Sequence, residues 1–245
     1  MHRFYLPPPQ CQRPILTLTG AEAHHALAVL RIKTGETVAI LDGAGREFLC
    51  AVSSVDRKTV TLSVEQTLSS PTPLCRVTLV QAVPKGKLLE TIIQKATELG
   101  AFRIIPLLSE RVATHLDGEA VNHKAEKWQH VAVEAIKQCG QRWLPQVEAP
   151  VSLPALLVRR ENFDLSLVGS LRNDARHPRE YFKKRPASIR LWIGPEGDFA
   201  DAELAAIRYA GGLPISLGPL VLRSDTAALY ALSVVSYELQ APPGP

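Results

Sequence analysis

The stretch LWIGPEGDFADAELAAIRYAGGLPISLGPLVLRSDTAAL, residues 191–229, decides the fold. It holds two short apolar segments, 191–193 and 213–217, and each of them runs directly into glycine and proline. A helical pattern follows each loop, so the stretch predicts a strand–turn–helix unit used twice. Loops at the carboxyl ends of adjacent parallel strands are where α/β folds bind flat, polar ligands. Neither loop matches GxGxxG or GxxxxGK[ST], which predicts a nucleotide-like ligand without a pyrophosphate-binding loop.

The rest of the chain divides into two patterns. From residue 76 onward, predicted strands (77–82, 103–108 and 165–169) alternate with predicted helices (87–99, a helix from about Asn122, and 224–240). This alternation predicts an α/β domain with a parallel sheet. The first 70 or so residues instead show short runs with a period of two and tight turns, which predict a small antiparallel β-barrel. We place the boundary at the proline-containing segment 69–73, which gives domains at 1–72 and 73–240 and a disordered tail at 241–245.

Composition limits the kind of protein. The chain has 245 residues, 46% of them hydrophobic, and a net charge of +4 that is compatible with binding a polyanion. The amino terminus lacks the apolar core of a signal peptide, and no apolar run is long enough to span a membrane. The four cysteines lie far apart without a CxxC pair, and the adjacent His24 and His25 cannot both face one site on a helix. The sequence therefore predicts a reduced cytoplasmic protein without a bound metal.

Several motifs together resemble the RsmE family of the SPOUT class, the trefoil-knotted methyltransferases. They are GPEG at 194–197, LGPLVLRSDTA at 217–227, QAVPKG at 81–86 and QKATELG at 94–100. The RsmE family methylates N3 of one uridine in 16S ribosomal RNA. The resemblance, which extends over nearly the whole chain, implies a deep carboxy-terminal knot, a PUA-like RNA-binding barrel at the amino terminus and a homodimer with the knot at its interface. It also favours the assembled 30S subunit over naked RNA as the substrate, a choice that the residues themselves leave open.

The resemblance implies S-adenosyl-L-methionine as the cofactor. The two glycine-containing loops and the end of the preceding strand would line its site, since side chains at the glycines would collide with a ligand. The expected cofactor-binding residues are Val168, Gly169, Ile193, Gly194, Pro195, Glu196, Gly197, Leu217, Gly218, Leu222, Thr226 and Ala227.

Arg223 is the principal candidate for catalysis. Ser224 is the expected N-cap of the last helix, and an arginine at the positive end of a helix needs an anionic partner. The resemblance implies that Arg223 faces the RNA or the uracil anion that develops in the reaction. Glu196 and Asp225 are both candidates for the general base.

Candidate RNA contacts are basic residues in both predicted domains. Lys85 and Lys87 lie at a helix amino terminus, where cations are out of place unless an anion binds there. The full set of expected phosphate contacts is Arg3, Arg31, Lys33, Lys85, Lys87, Lys95 and Arg111.

Three places depart from the family pattern, and the mildest departure is Ser224-Asp225 for Thr-Glu, which keeps a hydroxyl and a carboxylate. Asp198 stands where GPEGG has its last glycine, and we expect it to cap the helix that begins near Asp201. Leu220 stands where the family has an arginine. If that arginine touches RNA or binds across the dimer, we expect Arg208 or Arg190 to do so here.

Two local predictions concern helices elsewhere. Thr19 and Glu22 predict a capping box at the start of a short helix. Cys139 falls on an apolar helical stripe, which indicates a core cysteine rather than a nucleophile.

Other interpretations of the same residues remain open. The GPEG segment alone is compatible with an ordinary strand-to-helix turn, and the polar helix face at 90–98 with a solvated surface. A non-catalytic RNA-binding or ribosome-assembly protein on the same fold is the main alternative function. An α/β enzyme that uses a different nucleotide is a second one, disfavoured by the missing phosphate-binding patterns.

Overall fold

The computed structural model describes residues 1–111 and 118–240. The chain forms two compact units. The first unit comprises Met1–Thr72 and Val133–Leu144, and the second comprises Pro73–Ala132 and the chain from Pro145 onward. The predicted disordered tail, 241–245, lies outside the described residues.

The first unit is built on a five-stranded sheet. Its strands are β1 (His2–Tyr5), β2 (Ile15–Leu18), β3 (Thr37–Leu41), β4 (Arg46–Val55) and β5 (Val60–Ser69), in the order β1-β3-β4-β5-β2. The pairs β3–β4, β4–β5 and β2–β5 are antiparallel, as predicted. The pair β1–β3 is parallel, and here the prediction of a wholly antiparallel sheet was wrong. A parallel neighbour needs a crossover of a dozen or more residues, which the chain between β1 and β3 provides.

A short helix lies in that crossover. Helix α1 (Gly20–His24) continues into a π-helical turn at His25–Val29. Thr19 is the N-cap residue, but its side chain makes no capping hydrogen bond, so the predicted capping box was wrong. The Glu22 carboxylate instead accepts a hydrogen bond from Lys137 Nζ at 2.8 Å. The Glu22 carboxylate, which the capping box required as an acceptor, is therefore bonded to the buried Lys137 ammonium group.

The second unit is built on a parallel sheet, as the sequence predicts. Its strands are β6 (Arg76–Ala82), β7 (Arg103–Leu108), β8 (Gln146–Val147), β9 (Val151–Ser152), β10 (Leu165–Gly169), β11 (Ser188–Ile193) and β12 (Leu213–Ile215). The order is β12-β10-β11-β6-β7-β8, and β9 also pairs with β7. All of these pairings are parallel. Because β10, β11 and β12 are neighbours, the loops that follow them meet at one edge of the sheet.

The helices of the second unit follow the predicted alternation. They are α2 (Leu88–Glu98), α3 (Gly118–Cys139), α4 (Leu153–Val158), α5 (Asp201–Tyr209) and α6 (Ser224–Val235), and a π-helical turn, Ser236–Gln240, continues α6. Helix α3 begins four residues before the predicted start at Asn122, and its last turns belong to the first unit. Helix α2 packs against α6. A buried cluster that includes Val80, Ile105, Trp192 and Phe199 forms a core of the second unit.

Two kinds of feature are not found in the part of the chain that the structure describes. Within 1–111 and 118–240, none of the helices has the length and apolar composition of a membrane span. In the same ranges, no three or more His, Cys, Asp or Glu side chains come together in a way that could hold a metal ion.

Candidate functional site

A cavity of about 430 Å³ lies where the loops after β10, β11 and β12 meet. This volume is within the range of small-molecule sites in proteins, roughly 300–1,000 Å³. The residues that line it are Gly169, Ser170, Leu171, Arg172, Asn173, Ala175, Ile193, Gly194, Pro195, Glu196, Asp198, Ser216, Leu217, Gly218, Pro219, Leu220, Val221, Leu222, Ser224 and Ala227. The cavity combines aliphatic side chains with bare backbone, carboxylates and one arginine.

Most of the residues that the sequence suggested for the cofactor lie around this cavity. Those that line it are Gly169, Ile193, Gly194, Pro195, Glu196, Leu217, Gly218, Leu222 and Ala227. The other three do not line it. Val168 is fully buried within β10. Gly197 and Thr226 are exposed and adjoin lining residues in the sequence.

Sequence reasoning missed one wall of the cavity. The loop after β10 contributes Ser170, Leu171, Arg172, Asn173 and Ala175. This loop carries no motif, so the only available signal was positional: it follows a strand that neighbours β11 and β12, and parallel strands place their carboxyl ends at the same edge. Leu220, the position of the missing family arginine, also lines the cavity and is 72% exposed.

Asp198 keeps the left-handed backbone angle that a glycine would adopt easily. Its φ is 61°, and its N–H donates to the Pro195 carbonyl at 2.9 Å. Its carboxylate accepts a hydrogen bond from the Phe199 N–H at 2.8 Å. Aspartate is among the residues that tolerate this conformation because its short side chain bonds locally. The loop therefore retains its turn despite the substitution.

The predicted capping role of Asp198 was wrong. Ala200 is the N-cap residue of α5. Its side chain has no acceptor, and the Glu203 carboxylate, reaching back from the first turn, accepts a hydrogen bond from the Ala200 N–H at 3.0 Å. The Asp198 carboxylate bonds to the Phe199 N–H instead of capping the first turn of α5.

Gly194 is a position where a side chain would be crowded. A Cβ there would lie 3.2 Å from Asp198 Oδ1 and 3.2 Å from the Phe199 nitrogen. The Gly194 carbonyl accepts a hydrogen bond from Ser224 Oγ at 2.6 Å. The first residue of α6 thus holds the first residue of the GPEG loop.

Ser224 is not the N-cap that the sequence predicted. Arg223 occupies that position, with φ −64° and ψ 155°, and makes no side-chain capping bond. Ser224 is the first helical residue and is buried. Its hydroxyl accepts a hydrogen bond from Gln81 Nε2 at 2.9 Å while donating to Gly194. The long-range partner of the hydroxyl explains why the local capping rule failed.

The three proposed catalytic side chains lie on two elements beside the cavity. Glu196 is exposed and lines it. Asp225 is partly buried in the first turn of α6, where it accepts a hydrogen bond from Thr226 Oγ1 at 3.5 Å. Arg223 is exposed, and within the described ranges its guanidinium has no hydrogen-bond or ion-pair partner.

Arg190 and Arg208, the expected substitutes at Leu220, are engaged elsewhere. Arg190 is buried in β11 between the rings of Phe163 and Trp192, at 4.8 and 4.9 Å from the ring centroids. Its burial lowers the pKa of the guanidinium. Arg208 donates to Asp174 at 2.6 Å. Neither of them lines the cavity, and a role of either in place of the family arginine stays a prediction.

The predicted RNA contacts in the second unit differ in their surroundings. Arg111 donates to the Gly197 carbonyl in the GPEG loop. Lys95 forms an ion pair with Glu98 at 2.9 Å. Lys85 and Lys87 are exposed before α2, and Lys87 is its N-cap residue.

The predicted RNA contacts in the first unit are also mixed. Arg3 lies 3.8 Å from the Glu47 carboxylate and donates to the Gln138 carbonyl, so its guanidinium is partly engaged. Arg31 and Lys33 are exposed, and Arg31 has a left-handed backbone with φ 55°. Cys139, expected in the core, is exposed. The helical stripe that predicted its burial ends one turn earlier, because α3 ends at Cys139.

Comparisons with known proteins agree with this geometry. A family model described as an RNA methyltransferase domain matches residues 70–236, and a model described as an RNA methyltransferase PUA domain matches residues 18–65. The chain is 33% identical over 236 residues to Ribosomal RNA small subunit methyltransferase E of Bacillus subtilis, covering 94% of this chain and 92% of the relative. It is 34% identical over 224 residues to the Mycobacterium bovis protein of that name, covering 90% and 86%.

Solved structures give the same result. A methyltransferase of Legionella pneumophila, in complex with bound cofactor SAM, matches with a TM-score of 0.88 and 33% identity over 96% of both chains. Ribosomal RNA small subunit methyltransferase E of Neisseria gonorrhoeae matches with a TM-score of 0.87 at 24% identity over 97% of both chains, which shows the fold alone. Because the methyltransferase model spans more than half of the chain and the curated relatives match most of it, this chain belongs to the ribosomal RNA small subunit methyltransferase E family of RNA methyltransferases.

Proposed function

We propose that this protein transfers a methyl group from S-adenosyl-L-methionine to N3 of a single uridine of 16S rRNA in the small ribosomal subunit. The observation that carries the proposal is the cavity of about 430 Å³ bounded by the GPEG loop, the loop after β12 and the loop after β10. The relatives in B. subtilis and M. bovis are named as small-subunit rRNA methyltransferases. The L. pneumophila relative binds SAM.

The lining of the cavity fits S-adenosyl-L-methionine. Aliphatic side chains such as Ile193 and Leu217 suit a flat adenine ring, and the exposed backbone of the loops offers donors and acceptors for its edge. Glu196 and Asp198 bring carboxylates for a cationic ligand. Arg172 brings a guanidinium for a carboxylate, although it also donates to Asp201. At Gly194, a Cβ would crowd Asp198 and Phe199 of the same loop at 3.2 Å.

We propose that the residues suggested by the sequence hold the cofactor together with the wall formed by the loop after β10. In the first group, Gly169, Ile193, Gly194, Pro195, Glu196, Leu217, Gly218, Leu222 and Ala227 line the cavity, and Val168, Gly197 and Thr226 support them from neighbouring positions in the chain. When bound, S-adenosyl-L-methionine supplies an electrophilic methyl group, and the electron pair of the broken carbon–sulfur bond stays on sulfur. Methyl transfer from a sulfonium needs no metal.

The chain itself has to orient uracil and remove its N3 proton. The exposed guanidinium of Arg223 is the cation that we assign to the uracil anion, because a fixed positive charge near a developing negative charge lowers the barrier. The N3 proton passes to a carboxylate, for which Glu196 and Asp225 are the two candidates. Holding uracil and the methyl donor in line supplies the remaining advantage over the reaction in solution.

We propose that RNA binding is shared by both parts of the chain. The region 1–72 acts as a PUA-like RNA-binding barrel, and 73–240 as the SPOUT methyltransferase domain. The phosphate contacts are Arg3, Arg31, Lys33, Lys85, Lys87, Lys95 and Arg111. Arg31, Lys33, Lys85 and Lys87 support this proposal best, since they are exposed. Arg3, Lys95 and Arg111 would have to share their charge with the partners described above.

We further propose that the second unit contains a trefoil knot and that the protein forms a homodimer. We place the protein in the cytoplasm, where its proposed substrate, the 30S subunit, is found. The resemblance to SPOUT proteins supports the knot. Exposed apolar side chains in and after the loop that follows β12 support the dimer: Leu220 is 72%, Val221 76%, Tyr230 45% and Tyr237 79% exposed. Large exposed apolar side chains favour burial against a partner. Light scattering at micromolar concentration tests this, and a monomeric mass would contradict it.

The proposed function is tested by label transfer. Purified protein is incubated with tritiated S-adenosyl-L-methionine and 30S subunits from a strain that lacks its own enzyme, with naked 16S rRNA in parallel. The proposal expects about one methyl group per 30S particle and less on naked RNA. Cofactor binding without label on either RNA would indicate a different substrate. No binding and no label would favour the alternative function, a non-catalytic RNA-binding or ribosome-assembly protein. That alternative is motivated by Leu220, which stands where the family has an arginine.

A further inference from the structure

A short chain of hydrogen bonds leads from the buried sheet to the GPEG loop at the wall of the cavity. Gln81 lies at the end of β6 and is fully buried, and its register partner in β11 is Ile193. Gln81 Nε2 donates to Ser224 Oγ at 2.9 Å, and Ser224 Oγ donates to the Gly194 carbonyl at 2.6 Å. Three elements, β6, α6 and the loop after β11, are therefore joined through one hydroxyl group.

The direction of each bond in this chain is fixed. The single hydroxyl proton of Ser224 goes to the Gly194 carbonyl, so the hydroxyl can only accept from Gln81. The second N–H of the Gln81 amide donates to the Ala82 carbonyl at 3.0 Å. An inverted amide would place its oxygen against that carbonyl and is therefore excluded. The network has one arrangement rather than two.

This arrangement leaves one buried polar atom without a hydrogen bond, which costs stability. Gln81 Oε1 is buried and has no hydrogen-bond partner among the residues that the structure describes. Unsatisfied buried polar atoms are rare in native proteins, and each needs an explanation. A leucine at position 81 would avoid the cost but would leave Ser224 unheld. We explain the presence of the amide by the hydrogen bond that it donates to Ser224.

We propose that Gln81 and Ser224 are positioning residues for the cofactor site: through this hydrogen-bond chain they hold the Gly194 carbonyl and so set the affinity for the cofactor. Gln81 does not line the cavity, so it acts only through Ser224. The inference rests on the proposed function, because it takes the cavity to be the S-adenosyl-L-methionine site. It goes beyond that function by assigning cofactor affinity to a buried glutamine in the core of the sheet.

The test measures binding of S-adenosylhomocysteine, which is not consumed, by calorimetry on the full chain. Ser224→Ala and Gln81→Met should each weaken binding by roughly 5- to 30-fold, the usual effect of one lost buried hydrogen bond. Ser224→Thr keeps the hydroxyl and should bind within about threefold of the wild type. The double variant should be no weaker than the weaker single variant, because members of one chain are not additive.

Thr97→Val is the matched control. Thr97 is fully buried in α2, and its hydroxyl donates to the Ile93 carbonyl at 2.8 Å, so the variant also loses a buried hydroxyl. It should lower thermal stability while leaving cofactor affinity unchanged. Equal binding by Ser224→Ala and the wild type, or equal weakening by Thr97→Val, would overturn the inference.

Two further outcomes separate failure of the proposed function from failure of the positioning role. If wild-type protein fails to bind S-adenosylhomocysteine, the proposed function fails and not the network alone. If Ser224→Ala does not fold, Gln81→Met decides, and binding by Gln81→Met at wild-type affinity would refute the positioning role.

Discussion

Glu203 Oε2 accepts a hydrogen bond from Ser109 Oγ at 2.9 Å, which joins the first turn of α5 to the residue after β7. The same buried carboxylate accepts from the N–H groups of Glu110, at 2.9 Å, and Ala200, at 3.0 Å. Two loops at the rim of the sheet thus share one acceptor. The next residue along, Arg111, donates to the Gly197 carbonyl of the GPEG loop.

Replacement of Glu203 by alanine should therefore destabilise the protein more than replacement of Ser109. Glu203→Ala leaves three donors without their acceptor and should cost about 3 kcal/mol of unfolding free energy. Ser109→Ala removes one bond and leaves the other two, so it should cost about 1 kcal/mol. Urea unfolding measures both. Similar losses for the two variants would show that the carboxylate does not hold the loops together.

Arg223→Ala should lower kcat far more than cofactor affinity. An electrostatic stabiliser of a developing anion is typically worth about 100-fold in kcat, while Arg223 is not among the residues that line the cavity. Arg159→Ala is the control, since that side chain is paired with Glu148 and does not line the cavity. Steady-state methylation of 30S subunits gives kcat, and calorimetry gives the cofactor Kd. Turnover within about threefold of the wild type, under ~1 kcal/mol, would remove Arg223 from catalysis.

Substitutions at Asp198 should separate backbone conformation from side-chain bonding. Asp198→Ala should destabilise by about 1–2 kcal/mol, because alanine is strained at φ 61° and also loses the acceptor for the Phe199 N–H. Asp198→Asn should stay within about 0.5 kcal/mol of the wild type, since asparagine tolerates this conformation and keeps an oxygen. Thermal unfolding compares them. A stability of Asp198→Ala equal to that of Asp198→Asn would mean that the left-handed turn carries no strain.

The cysteines should differ sharply in reactivity. Burial raises the pKa of Cys11 to about 11, that of Cys50 to about 12 and that of Cys75 to about 11, so their thiols stay protonated at neutral pH. Cys139 is exposed. The thiolate is the reactive form, so a disulfide reagent at about pH 8 should modify one thiol quickly and the other three only on unfolding. Cys139→Ser should abolish the fast phase. A fast phase that survives in that variant would show that a buried thiol is accessible.

The sequence predicted the position of the cavity better than the complete set of residues that line it. Two glycine–proline loops after apolar segments were enough to place the cavity at the carboxyl ends of β11 and β12, because parallel strands present those ends together. The loop after β10 has no such motif. Its residues, Arg172 among them, reach the cavity only because β10 lies between β11 and β12 in the sheet. Strand order depends on long-range pairing, which local patterns do not encode.

Local rules failed where a side chain has a distant partner. Ser224 was expected to cap α6, but its hydroxyl bonds to Gly194, thirty residues away. Glu22 was expected in a capping box, but Lys137 takes its carboxylate from another part of the chain. Both polar groups found tertiary partners that propensity rules cannot include. Asp198 was expected to cap α5, and there the cause is local, since its left-handed backbone turns it toward Phe199.

The identity of the methylated atom tests the central claim most directly. A methyl group on N3 of uracil removes a Watson–Crick donor and blocks reverse transcription, so primer extension on 16S rRNA from treated 30S subunits locates it. We expect one new stop, at a single uridine, and 3-methyluridine as the only new nucleoside by mass spectrometry. A methyl group on another atom or base, or no new stop despite cofactor binding, would contradict the account.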